Sequence, residues 1–190
     1  MRDPIRTARL VLRRWRPEDA PQLKEAIDSS LAELQLWVPW AMQEPSPVDV
    51  LVRRLAGMRD RFLAADDWAF GVLDATGTRV LGGAGLHRRG GTDHLEIGYW
   101  IRTDATGQGL ATEAAEALCA AAFEHPGIVR VEIRCDAQNG RSAAVPRRLG
   151  FTLAGTAHET AITRGGATRN TLIWSRGRDE GADRAAPVGE

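Results

Sequence analysis

The stretch of sequence that decides the fold is "DATGQGLATEAAEALCAAAFEH", residues 104–125. Two glycines, Gly107 and Gly109, precede a run in which small and apolar residues recur at helical spacing. One broad face of the predicted helix carries Ala111, Ala114, Ala115, Leu118, Cys119, Ala122 and Phe123. The opposite face carries the glutamates Glu113, Glu116 and Glu124. This pattern predicts a helix that packs on a sheet and exposes its amino end at the sheet edge.

The amino end of such a helix is suited to bind an anion. Its first backbone N–H groups have no partner within the helix, and the helix dipole favours negative charge there. We therefore expect a phosphate or pyrophosphate to bind at Gly107, Gln108, Gly109, Leu110, Ala111 and Thr112. An ordinary glycine turn entering a packed helix explains the same residues equally well, because short glycine motifs are weak signals.

Two well-known phosphate sites fit this sequence poorly. A P-loop needs a lysine after its second glycine, and the only lysine is Lys24. A dinucleotide-binding fold begins with a strand that is apolar on both faces, but "LEIGYWIR", residues 95–102, alternates. One face of that strand carries Leu95, Ile97, Tyr99 and Ile101, and the other carries Glu96, Gly98, Trp100 and Arg102. The dinucleotide alternative therefore ranks below another phosphate-bearing cofactor.

The composition restricts the class of protein. The chain has 190 residues with 25 basic and 25 acidic side chains, so it lacks the basic excess of a general nucleic-acid or anionic-membrane binder. The cysteines Cys119 and Cys135 lack metal-ligand spacing, and we predict that they are buried and that no metal is bound. No apolar run reaches the ~20 residues of a membrane span, and the start lacks the apolar segment of a signal peptide. We expect a cytoplasmic protein.

The remaining periodicities predict a mixed α/β domain over residues 1–176. Three closely spaced strand patterns, at residues 68–75, 79–88 and 95–102, imply an antiparallel meander. Further strands are predicted at residues 9–15, 129–135, 151–159 and 170–176, and helices at residues 17–30, 48–66, 110–125 and 140–150, with a short helix and a proline-broken loop at residues 31–47. The result is a twisted, mostly antiparallel sheet of six or seven strands flanked by about four helices. Residues 177–190 lack apolar periodicity and are predicted to be a disordered tail.

Several stretches, in this order, resemble the GNAT superfamily of acetyl-CoA-dependent N-acetyltransferases: "LEIGYWIR", "TGQGLATEA" and "RVEIRCDAQNGRSAAVPRRLGF". The flanking "IRTARLVLRRWRPEDA", "LWVPWA" and "NTLIWSR" resemble its branch of bacterial ribosomal-protein N-terminal acetyltransferases. The resemblance runs from Arg6 to Arg176. Thr106 stands where the family turn has Gln or Arg, which removes one side-chain contact and leaves the backbone N–H groups unaffected.

The resemblance implies how acetyl-CoA, the acetyl donor, is bound. In the family the glycine turn holds the pyrophosphate of coenzyme A, and the strand before the turn splays from its neighbour. The backbone of Trp100, Ile101 and Arg102 would pair with the pantetheine arm, whose two amides act like an added strand. Asn139 resembles an amide that contacts pantetheine, and Ser142 a hydroxyl near the sulfur.

Acetyl transfer from a thioester to an amine requires a base near the amine and a proton donor near the leaving thiolate. Glu96 is the candidate base, acting directly or through water. Alternatively, Glu96 has only a structural role, as a strand carboxylate paired with Arg88 or Arg102. Ser142 is the candidate proton donor. Alternatively, Ser142 is a solvated residue in the first turn of a helix that Asn139 caps. The helix that often supplies a Tyr in this family has none here, and the only tyrosine, Tyr99, is expected in the core. Pro146 should leave the Ser142 carbonyl free for another partner.

The acceptor is predicted from weaker signals. Trp37 and Trp40 form either a hydrophobic staple or an aromatic wall of the acceptor groove, and His87 and His158 lie in strands that would line the substrate side. The resemblance implies a protein N-terminal amine as acceptor. A small amine or an antibiotic is an alternative acceptor, and a catalytically silent acyl-CoA-binding module is the alternative of another class. The sequence leaves monomer and homodimer open.

Overall fold

The computed structural model describes residues 1–89, 91–159 and 168–179, and these contain one eight-stranded sheet. The strands lie in the order β1-β2-β3-β4-β5-β6-β8-β7. In chain order the elements are β1 (Ile5–Arg6), β2 (Leu10–Arg14), α1 (Ala20–Asp28), α2 (Leu31–Trp37), α3 (Val48–Leu63), β3 (Trp68–Asp74), β4 (Val80–His87), β5 (His94–Ile101), α4 (Leu110–Glu124), β6 (Arg130–Asp136), α5 (Gly140–Arg148), β7 (Thr152–Glu159) and β8 (Arg169–Gly177). Short 3-10 turns occupy Pro17–Asp19, Pro39–Gln43 and Thr103–Ala105.

The mixed α/β class and the meander are confirmed. Strands β3, β4 and β5 pair antiparallel in sequence order. The described residues contain one strand more than the predicted six or seven, because the two-residue β1 pairs with β2 and is too short to show a periodicity. They contain five α-helices, since the region of residues 31–47 begins with a helix of its own, α2.

The predicted splay lies between β5 and β6. These two strands pair in parallel from His94↔Arg130 to Ile97↔Ile133. Beyond that point β5 stays paired with β4 as far as Ile101, while β6 stays paired with β8 as far as Asp136. The two strands therefore diverge, and a cleft opens between them.

The hydrophobic core lies on both faces of the sheet, as the alternation in β5 predicts. Leu95 and Ile97 are almost fully buried in the cluster that contains the apolar face of α4. Trp100, on the other face of β5, packs against the second cluster, which α1 and α3 help to form. Cys119 and Cys135 are buried and free, as predicted. The small side chains of α4 let the helix lie close to β5, directly beside the cleft.

Strand β8 and the two residues after it form the last part of the chain that the structure describes. Gly177 is the last residue of β8, and the Arg178 guanidinium donates a hydrogen bond from Nε to the Ile128 carbonyl at 3.1 Å. Residues 180–190 of the predicted tail lie outside the described residues, so the boundary at residue 176 stays a prediction. Among the described helices, none has both the length and the apolar character that crossing a membrane requires.

Leu118 offers a direct test of the packing of α4. Its side chain is fully buried, so Leu118→Ala should lower the free energy of unfolding by about 2–5 kcal/mol, through lost transfer energy and a residual cavity. Urea denaturation measures the change. Leu63→Ala is the matched control, because Leu63 is 62% exposed and its truncation should cost less than about 0.5 kcal/mol. Equal costs in the two variants would contradict the assigned packing.

Candidate active site

A cleft of about 1290 Å³ lies where β5 and β6 separate. Its walls are the end of β5, the turn before α4, the first turns of α4 and α5, and the segment between β1 and β2. The cleft is lined by the predicted proton donor Ser142, by Trp37 of the predicted substrate site, and by the predicted cofactor residues Trp100, Ile101, Gly107, Gly109, Leu110, Ala111, Thr112 and Asn139. Most of the predicted cofactor residues are therefore brought together in one place.

The glycine turn has the geometry of an anion site. Gly107 and Gly109 both have left-handed backbones, with φ of 78° and 77°, which strongly favours glycine. An added Cβ on Gly107 would meet no atom within 4 Å, and on Gly109 the nearest atom is an Arg9 nitrogen at 3.6 Å. Gly109 is the N-cap of the 15-residue helix α4, and no side chain caps that helix. The first N–H groups of α4 therefore face open space.

Arginines that the sequence did not indicate line the cleft, two of them paired with carboxylates: Arg9 with Glu113 and Arg141 with Glu33. Arg9 donates to the Gln108 carbonyl at 2.8 Å and to Glu113 at 2.7 Å. Burial raises the pKa of Glu113, but hydrogen bonds from Thr7 and Arg9 outweigh it and hold the pKa below its usual value. Arg141 and Arg148 line the cleft from α5. No local motif marks these residues, because contacts across the fold bring them to the turn.

Two of the predicted backbone contacts on β5 are wrong. The Arg102 N–H donates to the Leu81 carbonyl at 2.9 Å, so its backbone faces β4. The backbone N–H and C=O groups of successive residues in a strand point to opposite edges, so residues two apart face the same edge. The backbone groups of Trp100 therefore also face β4. The groups free to pair with an extended ligand in the cleft are those of Tyr99 and Ile101. Of the three predicted residues, only Ile101 has this orientation.

The Arg102 side chain also lies away from the cleft. It is 5% exposed and binds both carboxylate oxygens of Glu25 at 2.7 Å, while Nε donates to Asp104 at 2.6 Å. The hydrogen bond with Arg102 holds the pKa of Glu25 below its usual value. Arg102 therefore anchors the end of β5 to α1 and to the turn that follows it.

The start of α5 carries the predicted proton donor. Asn139 Oδ1 accepts a hydrogen bond from the Ser142 backbone N–H at 3.0 Å, so Asn139 caps this helix as well as lining the cleft. Pro146 lies inside α5, where it has no N–H to offer the Ser142 carbonyl. The Tyr99 hydroxyl takes that place: it donates to the Ser142 carbonyl at 3.1 Å and lies 3.2 Å from Ser142 Oγ. The carbonyl freed by Pro146 thus has the separate partner that the sequence predicted.

Tyr99 has a second position-dependent property that its expected place in the core did not reveal. Its ring packs partly against the core as expected, but its hydroxyl lies at the cleft beside Ser142. Burial raises the pKa of Tyr99, so the phenol is neutral at physiological pH and can donate a hydrogen bond. One general rule pointed to this contact, because a buried tyrosine hydroxyl usually finds a hydrogen-bond partner.

A second cavity of about 610 Å³ lies on the other side of β5. It shares a boundary with the cleft at Trp37, Val38, Tyr99, Trp100, Arg134, Cys135 and Asp136. Three of the four residues predicted to bind substrate, Trp37, Trp40 and His87, line it. The fourth, His158, is exposed on β7, contacts Asn170 and lines neither cavity, because the register of β7 directs it elsewhere.

Glu96 also lines the second cavity, but its partners differ from those predicted. Its Oε2 lies 3.4 Å from Nε of Arg89 and 3.5 Å from Nε of Arg134. The predicted partners are engaged elsewhere: the Arg88 guanidinium lies over the Trp68 ring, and Arg102 binds Glu25 and Asp104. The Glu96 side chain is 15% exposed, so it contacts the cavity while its charge is balanced by arginine.

Within the described ranges, no group of three or more His, Cys, Asp or Glu side chains is placed to hold a metal ion. The cleft instead offers backbone N–H groups, arginines and hydroxyls. These groups fit a long, phosphate-bearing ligand that also carries amides.

Comparison with known proteins identifies the family. Residues 9–152 match the Acetyltransferase (GNAT) domain. The chain belongs to the GNAT acetyltransferase family. YdaF of Bacillus subtilis (strain 168), provisionally named a ribosomal N-acetyltransferase, is 30% identical over 165 residues, which cover 82% of this chain and 85% of YdaF.

Solved structures of this GNAT fold agree with the architecture. A crystal structure described as that of an acetyltransferase superposes with a TM-score of 0.84 and 28% identity, over 92% of this chain and 96% of the other. RimL, a ribosomal L7/L12 α-N-protein acetyltransferase solved with coenzyme A, has a TM-score of 0.82 and 23% identity, over 94% and 99% of the two chains. The predicted acetyl-CoA-dependent N-acetyltransferase is confirmed, and the dinucleotide-binding alternative is excluded.

Gly109→Glu should abolish binding of coenzyme A, because a side chain and a negative charge would enter the space in front of the α4 N–H groups. Isothermal titration calorimetry with coenzyme A measures the effect. Gly127→Glu is the matched control: Gly127 has a similar left-handed backbone, with φ of 81°, and an open position at the other end of α4. It should leave the Kd unchanged. Wild-type affinity in Gly109→Glu would contradict the assigned phosphate site.

Proposed function

We propose that this acetyltransferase modifies the α-amino group of a protein N-terminus, of the ribosomal-protein type, by direct attack on acetyl-CoA. The observation that carries the proposal is the pair of cavities that meet at Tyr99 and Trp100, one suited to the donor and one to the acceptor. The names of YdaF and RimL, which both refer to ribosomal substrates, support the same acceptor class.

The charges of the second cavity favour a peptide over a polycation. Among its described lining residues are two carboxylates, Glu96 and Asp136, and each lies within 3.5 Å of an arginine. The arginines of the lining are Arg54, Arg89, Arg134 and Arg169. A polyamine or an aminoglycoside would have to displace several arginines to find carboxylate partners, whereas a peptide N-terminus brings a single ammonium group. The open aromatic wall of Trp37 and Trp40 suits an extended chain.

The residues around the meeting point supply the required chemistry. Acetyl-CoA supplies an acetyl group that is activated as a thioester. Glu96 draws the proton from the acceptor ammonium, directly or through water, and Ser142 donates a proton to the leaving thiolate. The Tyr99 hydroxyl, which contacts Ser142, supplies the tyrosine that α5 lacks and so weakens the case for a silent acyl-CoA-binding module. Residence in the cytoplasm and a monomeric or homodimeric state stay predictions.

A competition screen tests the acceptor class. Thiol release from acetyl-CoA is followed with N-terminal peptides of ribosomal proteins, spermidine and an aminoglycoside, each scored by kcat/KM. We expect the highest values for peptides. A preference for spermidine or the aminoglycoside over every peptide would overturn the acceptor class. Tight binding of acetyl-CoA without turnover of any amine would favour the silent module.

Ser142→Ala should lower kcat by about 10²-fold or more and change the Kd for acetyl-CoA far less, because the hydroxyl acts on the leaving group. The Asn139 cap bonds the backbone N–H of residue 142, so alanine leaves the cap in place. Single-turnover kinetics and calorimetry separate the two quantities. An unchanged chemical step would leave Ser142 with a structural role only.

Glu96→Gln should lower kcat/KM most at neutral pH and less above about pH 8, where a peptide amine is already neutral. The pH profile of kcat/KM measures this. Glu132→Gln is the control, because Glu132 binds the same Arg134, at 3.2 Å, without lining the second cavity. A loss in Glu96→Gln that is uniform across pH would show that Glu96 only pairs with arginine.

A further inference from the structure

His87 and Asp67 form a hydrogen-bonded pair beside the second cavity. Nδ1 of His87 lies 2.5 Å from Oδ1 of Asp67, and about a quarter of each side chain is exposed, 28% and 26%. An ionised carboxylate can only accept a hydrogen bond, so Nδ1 carries the proton. In a neutral imidazole the other nitrogen, Nε2, is then unprotonated. This pairing leaves a basic nitrogen available on the ring.

Two glycines provide space around Nε2. A Cβ on Gly98 would lie 3.4 Å from Nε2, and a Cβ on Gly85 would lie 2.7 Å from it. Both glycines line the second cavity together with His87. Gly98 is also the first residue of β5 beyond its pairing with β6. The imidazole therefore lies next to the point where the cleft and the second cavity meet.

Charged groups of both signs surround His87. Glu96 lies opposite His87 in the register of β4 and β5, and Arg89 pairs with Glu96 at 3.4 Å. Arg61 of α3 lies 3.9 Å from Asp67, and Arg54 and Arg134 line the same cavity. Burial raises the pKa of Asp67, but His87, Arg61 and Arg89 outweigh it and keep the pKa below its usual value. Asp67 is therefore ionised at neutral pH, as the orientation of His87 requires.

We propose that His87, oriented by Asp67, is the group that accepts the proton of the acceptor ammonium. The inference rests on the proposed function and revises one part of it: His87, rather than Glu96, takes the proton from the acceptor ammonium. Glu96, which pairs with Arg89 and Arg134, stabilises the imidazolium from the neighbouring strand. Asp67 is a positioning residue, since it acts through His87.

The proton and electron balance follows from these positions. The ammonium loses one proton to Nε2 of His87, and the amine lone pair forms the C–N bond with the acetyl carbon. The C–S bond breaks and its electron pair goes to sulfur, which receives a proton from Ser142 Oγ. The second amine proton, lost as the amide forms, restores the Ser142 hydroxyl, and His87 releases its proton to solvent. One ammonium and one thioester give one amide, one thiol and one proton.

The test compares pH profiles of kcat/KM for His87→Gln and Asp67→Asn with a peptide acceptor. At pH 7 His87→Gln should lose about 10²-fold in kcat/KM, and the loss should shrink above the pKa of the amine, about 8. Asp67→Asn should lose less, because the imidazole stays but its tautomer is no longer fixed. The Kd for acetyl-CoA should stay at the wild-type value in both variants.

Matched controls and a second measurement separate this role from a structural one. His125→Gln and Asp66→Asn change the same residue types outside both cavities and should keep the wild-type profile. ¹⁵N NMR of the imidazole should show Nδ1 protonated and Nε2 unprotonated in wild type, and a changed ratio in Asp67→Asn. A wild-type pH profile in a folded His87→Gln variant, or an Nε2-protonated ring in wild type, would overturn the inference. If wild type turns over no amine at all, the proposed function itself fails.

Discussion

The site depends on the separation of two parallel strands after only four paired residues. Beyond Ile97 and Ile133 the pairing of β5 with β6 ends, while each strand stays paired with its other neighbour, β4 or β8. The backbone groups of Tyr99 and Ile101 therefore face the cleft, and such groups need hydrogen-bond partners. A donor that carries amides can complete this edge as an added strand would. The GNAT fold thus makes a binding site from an incomplete sheet.

An ion-pair cluster fixes this open edge relative to the glycine turn. Arg102 is buried, binds Glu25 of α1 through two parallel hydrogen bonds, and binds Asp104 in the 3-10 turn that follows β5. Bidentate pairs of this kind are directional as well as strong. The turn that precedes α4 therefore starts from a defined position. A residue predicted to contact the ligand instead supports the geometry that binds it.

The sequence predicted what depends on local pattern. The alternation of β5, the apolar face of α4 and the glycine turn before that helix all follow from residues close in the chain. It could not predict contacts that depend on strand register and on the packing of distant segments. Tyr99 meets Ser142 across 43 residues and His87 meets Asp67 across 20, so no spacing in the sequence marks either pair. The prediction of which arginines pair with Glu96 was wrong for the same reason.

Strand β5 is the wall that the two cavities share, and its alternation assigns a task to each face. Tyr99 reaches Ser142, beside the proposed path of the leaving thiolate, whereas Glu96 and Gly98 face the second cavity and the proposed amine. The proposed proton donor and the proposed proton acceptor thus lie on opposite sides of β5. In the proposed direct attack, the amine and the thioester would approach the end of the paired region from different cavities. The same alternation that builds the core therefore also separates the proposed acid from the proposed base.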